Sequence, residues 1–305
     1  MIGYILRRAA VALSVAFTVS VVSFLLLHLS GDLAVAIAGP EATPAQVEQI
    51  RLEYGLDRPL WVQYGEWLAG AVQFDFGRSF FFREDVSTLV LDRLPVTMTL
   101  GAIALAFAVV LAVPLGVVAA IRPNSWLDRV ALTIAVAGQA MPSFWFALVL
   151  ILVVGVQLRW LPISGNDTWQ HFVLPAIALG YYATPAIMRL TRTGMLDVLS
   201  SDYIRTARAK GLRTSTVLVK HALRNAIIPV VALAAVQLGF MLGGSVVIET
   251  IFALHGLGHL AWESISRNDF PVVQAVVLIL AMFYILLTFL ADLLNAWLDP
   301  KIRVA

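Results

Sequence analysis

Six apolar runs alternate with polar segments along the chain: Ala9 to Leu29, Val96 to Ile121, Val130 to Leu158, Phe172 to Met188, Ala226 to Ile248 and Val272 to Leu294. Several exceed the roughly 18 residues that cross a bilayer as a helix. The pattern predicts an all-α polytopic membrane protein with six transmembrane helices. The first run follows Arg7-Arg8, as in a secretory leader, and Ala36-Ile37-Ala38 offers a cleavage site. Its apolar length of about 20 residues exceeds that of a leader, so it reads as an uncleaved anchor.

Basic residues orient these spans. With the N-terminus inside, the inner segments hold Arg7, Arg8, Arg122, Arg129, Arg189, Arg192, Arg205, Arg208, Lys210, Arg213, Lys220, Arg224, Lys301 and Arg303. The two short outer loops hold only Arg159 and Arg267. The bias predicts both termini inside. The chain then divides into a tail and first span (1–30), an extracytoplasmic helical subdomain (31–95), a five-helix core (96–298) and a cytoplasmic tail (299–305). The core carries a long inner loop, 193–225.

The outer segment has helix signals of its own. Thr43-Pro44-Ala45-Gln46 reads as an N-cap, a first-turn proline and a capping-box partner, with Gly55 as the stop. A second helix follows Pro59 and carries Trp61, Tyr64, Trp67 and Leu68 on one stripe. That stripe predicts an apolar face on the membrane shoulder or on a neighbouring chain, with direct contact to a transported molecule as the other reading.

Prolines 114, 142, 175, 185 and 229 fall inside or near the start of apolar runs. Neighbouring helices and water can satisfy the backbone groups that such prolines free. The spans are therefore expected to bend around a cavity. Polar or small residues at depth are Gln139, Pro142 and Ser143 in one run and Gln237, Gly243, Gly244 and Ser245 in another. They are candidates for lining a translocation pathway; the alternative is hydrogen bonding and close packing between helices.

The segment Asp202-Tyr-Ile-Arg-Thr-Ala-Arg-Ala-Lys-Gly-Leu212 is a basic island between apolar runs. It predicts a two-turn helix capped by Ser201 or Asp202, with Arg205, Arg208 and Lys210 towards its negative end and Gly211 as its left-handed stop. A helix that short needs something to pack on. Pattern alone leaves open a solvated loop or a docking element.

Composition agrees with the periodicity: 60% of residues are hydrophobic, 13% are charged and mean hydropathy is +0.87. Cysteine is absent, which excludes disulfides and thiolate metal sites. The basic residues sit beside spans without interleaved aromatics, so nothing points to nucleic acid. No Walker sequence occurs, and no Ser, His and acidic residues form a recognisable catalytic arrangement. His255-Gly-Leu-Gly-His259 places two histidines four apart, but the intervening glycines predict a turn, and no third metal ligand stands nearby. The sequence therefore predicts no catalytic residue, no metal site and no cofactor held by this chain.

A set of motifs runs in order through nearly the whole sequence: Gly55-Leu-Asp-Arg-Pro59, Phe76-Gly-Arg-Ser79, Arg93-Leu-Pro-Val-Thr97, Pro114-Leu-Gly116, Trp126-Leu-Asp-Arg129, Met141-Pro-Ser-Phe-Trp145 and Leu174-Pro175. The basic island follows, then His221-Ala-Leu-Arg-Asn-Ala226, Pro229, Glu249-Thr-Ile-Phe252, Gly256-Leu-Gly258, Asp269-Phe-Pro-Val-Val-Gln274 and Leu298-Asp-Pro300. In these residues the chain resembles the permease subunits of the dipeptide, oligopeptide and nickel class of bacterial ATP-binding-cassette importers. That family has a cytoplasmic Glu-Ala-Ala…Gly signature whose helix docks on an ATPase subunit. With its glycine on Gly211, Arg205, Thr206 and Ala207 occupy the Glu-Ala-Ala positions, as in the peptide branch.

The resemblance implies a multi-pass protein of the bacterial inner membrane with no enzymatic activity of its own. Partners would be a second permease, two ATPase subunits holding ATP and Mg, and an extracytoplasmic binding protein. Docking would fall on Arg205, Thr206, Ala207, Arg208, Ala209, Lys210, Gly211 and Leu212, with Ala207 and Gly211 sharing a small, approachable face. The expected function is peptide uptake coupled to ATP hydrolysis in the partners. Alternatives are uptake of nickel chelates or glutathione-type peptides and, in another class, an autonomous secondary transporter.

Overall fold

The computed structural model describes residues 2–29, 31–39 and 41–298. The tail 299–305, with Lys301, Arg303 and the Asp-Pro of its motif, lies outside them. Among the described residues there is no strand beyond one isolated bridge between Arg78 and Asp85.

The first apolar run is α1 (Ile2–Leu29). It starts before the predicted Ala9 because its polar turn is anchored: Arg8 pairs with Asp292 at 3.1 Å and donates to Tyr4 Oη at 3.2 Å. Three shorter helices follow, α2 (Leu33–Ala38), α3 (Pro44–Glu53) and α4 (Leu60–Val72). The capping box forms as expected. Thr43 N–H donates to Gln46 Oε1 at 2.8 Å, Gln46 N–H donates to Thr43 Oγ1 at 3.4 Å, and Gly55 takes φ +62°. The aromatic stripe of α4 corrects the expectation. Tyr64 and Trp67 pack on Phe24 of α1, with ring centroids 5.4 and 6.0 Å away, and Tyr64 Oη lies 2.8 Å from Ser20 Oγ. The face is half-covered within the chain itself, and Trp61 stays largely exposed.

α5 (Val86–Ile121) is the axis of the molecule. At about 1.5 Å per residue its 36 residues span about 54 Å. It begins ten residues before the predicted span and runs unbroken through 95/96, so the expected subdomain boundary falls inside a helix. Ala104, Ala108, Ala112, Gly116 and Ala120 recur every fourth position and are all buried. Two later helices lie against this small-residue ladder. A methyl on Gly180 would overlap the carbonyl of Ala104, and one on Gly116 would sit 2.7 Å from Thr191 Cβ. Backbones approach this closely only where side chains are small.

The third run is broken. α6 (Trp126–Ala140) stops at Met141-Pro142, and α7 (Ser143–Leu150) continues into a π-helical segment, Ile151–Gln157. The fourth run is a 3-10 turn (Trp169–Phe172), α8 (Val173–Gly180), a second 3-10 turn (Tyr181–Ala183) and α9 (Thr184–Leu199). It extends past the predicted Met188 and carries Arg192 on its last turns. Prolines 142, 185 and 229 stand at helix starts, where the missing N–H costs nothing. Pro175 lies in the first turn of α8, and Pro114 lies within α5.

The long segment after α9 forms α10 (Asp202–Ala209), α11 (Thr214–Thr216), a π-helical segment (Val217–Leu223) and α12 (Arg224–Ala226). Then come α13 (Ile228–Ile251), a short amphipathic α14 (Leu257–Ser266) and α15 (Phe270–Leu298). Among the described residues five helical segments are long and apolar enough to cross a membrane: α1, α5, 169–199, α13 and α15. The predicted third span is represented by a shorter apolar helix, Ser143–Gln157.

Candidate functional site

The break at Pro142, the α8–α9 bend and the middle of α13 enclose one cavity of about 680 Å³. Of the seven pathway candidates, Gln139, Pro142, Ser143, Gln237 and Gly244 line it. The other two do not. Ser245 is buried and its hydroxyl donates to Leu242 O at 2.9 Å, so it serves its own helix. Gly243 sits on an open face, with nothing within 4 Å of where its Cβ would be. Tyr182 and Phe240 also line the cavity while more than half exposed, 58% and 60%. They lie inside apolar runs and so read as core; their aromatic surface beside the bend is the only sequence signal. Among the described residues the lining contains no charged side chain. One flank, formed by Gln139, Ala140, Tyr182 and Phe240, is uncovered.

Two buried carboxylates hold the end of the molecule where α13 stops and α15 starts. Glu249, on the last turn of α13, is fully buried. It accepts from Thr97 Oγ1 at 2.8 Å and from the backbone N–H of His259 at 3.0 Å, while Thr97 Oγ1 accepts from Leu257 N–H at 2.8 Å. The carboxylate thus serves the otherwise unpaired N–H groups at the start of α14. A methyl on Gly256 would lie 2.5 Å from both Glu249 Oε2 and Thr97 Oγ1, and one on Gly258 would lie 2.6 Å from Val246 Cα. Three sequence motifs therefore meet in one knot, Thr97 lying 152 positions from Glu249. His255 and His259 flank it with centroids 5.4 Å apart, and burial holds the His259 imidazole below its ordinary range, His255 pushing the same way.

Asp269 is the second carboxylate. It accepts from Ser79 Oγ at 2.5 Å, Phe80 N–H at 3.1 Å and Phe81 N–H at 3.2 Å. It binds residues 79–81 to the start of α15, and Arg267 covers the Phe81 ring at 4.7 Å.

At the opposite end, Asp128 at the start of α6 is buried and takes both a 2.8 Å and a 2.7 Å bond from Arg192 of α9. Beyond it α10 forms as expected, with Gly211 at φ +75°. Its cap departs from expectation: Ser201 occupies the N-cap, but its hydroxyl donates back to Val198 O at 2.6 Å. Ile204 and Ala207 are buried against Met195, Val217, Ala222 and Ala226. Ala207 therefore faces inward and shares no open face with Gly211, which lies past the helix end. Arg205, Thr206, Arg208, Ala209, Lys210, Gly211 and Leu212 are exposed together.

Comparison with known proteins identifies the assembly to which such a chain contributes. Residues 112–304 match the family described as binding-protein-dependent transport system inner membrane component, and residues 1–101 match the corresponding N-terminal family. The glutathione transport system permease proteins GsiC of Escherichia coli strain K12 and of Shigella dysenteriae serotype 1 are each 42% identical over 304 residues, 99% of either chain. A chain of the MetNI methionine ABC transporter shares the fold: TM-score 0.58 at 20% identity, covering 69% of this chain and 96% of that one. This chain belongs to the family of inner membrane components of binding-protein-dependent transport systems, as a multi-pass permease subunit of an ATP-binding-cassette importer.

Proposed function

We propose that this chain supplies half of a peptide pathway and that a second permease closes the uncovered flank of its cavity. The cavity carries the reading: about 680 Å³, walled on one side only by a helix break, a helix bend and the middle of α13, with amides, hydroxyls and apolar groups and, among the described residues, no charge. Such a lining suits passage of varied peptides, because no buried charge selects one. An autonomous ion-coupled transporter would need an ionisable group at that depth.

Six crossings with both termini inside follow if α6 and α7 together make the third. The exposed edge of α10, from Arg205 to Leu212, then meets an ATPase subunit, and Ala207 fixes α10 to the chain. Two ATPase subunits hold the ATP and Mg, and an extracytoplasmic binding protein delivers cargo. The similarity to permeases named for glutathione transport supports short peptides, glutathione included, ahead of nickel chelates.

Co-expression with its partners and reconstitution in liposomes tests this. ATP-driven uptake of labelled short peptides is expected, with Gly244→Trp abolishing uptake while assembly and basal ATP hydrolysis persist. Uptake undiminished by Gly244→Trp would remove the cavity from the pathway.

A further inference from the structure

The Asp128–Arg192 pair does not line the cavity, yet it joins the helix that leads there to the helix that leads to α10. On the α10 side, Met195 of α9, one turn beyond Arg192, is buried with Ile204 and Ala207. On the cavity side, Gln139 and Ala140 at the end of α6 form part of the lining. α6 is fastened at its base and bare at its tip. Ala131 and Ala135 are buried in the core with the alanines of α5, and Tyr181 Oη at the α8–α9 bend donates to Ile134 O. Val136, Ala137, Gln139 and Ala140 are exposed. About 17 Å of helix lies between Asp128 and Gln139, so a tilt of about 10° at the base displaces Gln139 by about 3 Å.

Asp128 also holds the turn that precedes it. Its Oδ2 accepts from Asn124 N–H at 2.8 Å, where Asn124 takes φ +63°, and its own N–H donates to Ser125 Oγ at 3.4 Å. One carboxylate thus fixes the α5–α6 turn, the start of α6 and α9 together. Stability alone does not explain a charged pair at this place, because apolar side chains of similar volume hold buried helices as well or better. What the ion pair adds is direction. Its two parallel bonds keep guanidinium and carboxylate in one plane, so a rotation of α9 passes to α6 instead of being lost as slip.

We propose that Asp128 and Arg192 are positioning residues that form a coupling strut: the pair stays closed through the transport cycle and carries movement of α9, driven at α10, to the cavity wall at the end of α6. This role rests on the reading of α10 as the ATPase contact.

The test uses the whole importer in liposomes and reads labelled peptide moved per ATP hydrolysed. Asp128→Asn keeps an oxygen for Asn124 N–H and removes the charge that holds Arg192. The ratio should fall about tenfold, the worth of one charge-assisted bond, with the ATPase subunits still recovered. A merely structural pair would lower the melting temperature and leave the ratio where it was, and that result would overturn the strut. A second variant separates a strut from a gate. The chain has no cysteine, so Asp128→Cys with Arg192→Cys can be joined by a short bis-thiosulfonate reagent without competing thiols in it. The unjoined pair should lose the ratio and joining should restore it. Transport that proceeds unjoined, or that joining does not restore, would overturn the strut. If Asp128→Asn fails to assemble, the cysteine pair decides alone. The docking reading fails separately, through ATPase recovery undiminished when Arg205 and Arg208 are both reversed; the strut fails only in the ratio.

Discussion

At one end of this permease, two fully buried carboxylates each gather donors from distant parts of the chain. At the other end, α10 is held by two buried side chains, Ile204 and Ala207. Glu249 joins α5, α13 and α14; Asp269 joins residues 79–81 to the start of α15. These bonds cannot be partly made, since removing a carboxylate strands every donor pointed at it. The α10 contact is apolar and small, and the outward face of the helix is uncommitted. One end is fixed by interactions that tolerate no loss, while the other is left available for a partner to complete.

The strongest way to break the contrast is Glu249→Ala, which strands Thr97 Oγ1 and the α14 N–H groups. A loss of about 3 kcal/mol is expected, read as a large fall in folded yield and melting temperature. Asp269→Ala should cost a similar amount but locally, exposing the 73–85 segment to limited proteolysis while the spans stay folded. Ala207→Leu should cost about 1–3 kcal/mol by overpacking against Met195 and Val217. Purified complexes should then lose transport-stimulated ATP hydrolysis. Gly211→Ala meets no neighbour but forces a side chain onto a left-handed backbone, at about 1 kcal/mol. Smallest in stability is the pair Arg205→Glu and Arg208→Glu. Both residues are exposed, and the Arg205–Asp202 pair is worth about 0–1 kcal/mol, yet ATPase recovery with the permease should drop sharply. Full recovery with both charges reversed would refute docking on that edge.

What the sequence made legible follows the range of the interaction. The Thr43–Gln46 box and the Gly211 stop are local, and each is visible within a few residues. Five of the seven pathway candidates line the cavity, and Gln139, Ser143 and Gln237 stood out because polar residues inside apolar runs are rare. Ser245 escaped that logic because a helix can satisfy a hydroxyl by itself. The Glu249–Thr97 bond spans 152 positions, and no periodicity connects its partners. The third run looked continuous because its apolar residues straddle Pro142; only the chain fold decides whether a proline bends a helix or divides it. The face carrying Tyr64 and Trp67 was correctly read as apolar, but the partner that covers it, α1, belongs to the same chain.

The alanine ladder of α5 has a mechanical consequence. Alanine and glycine have no rotamers, so the contact with α8 and α9 forms without loss of side-chain conformational entropy. For the same reason it has no soft degree of freedom through which one helix could creep past another. α5, α8 and α9 must therefore shift as a single rigid body, and strain applied at one end of that block reaches the other undamped.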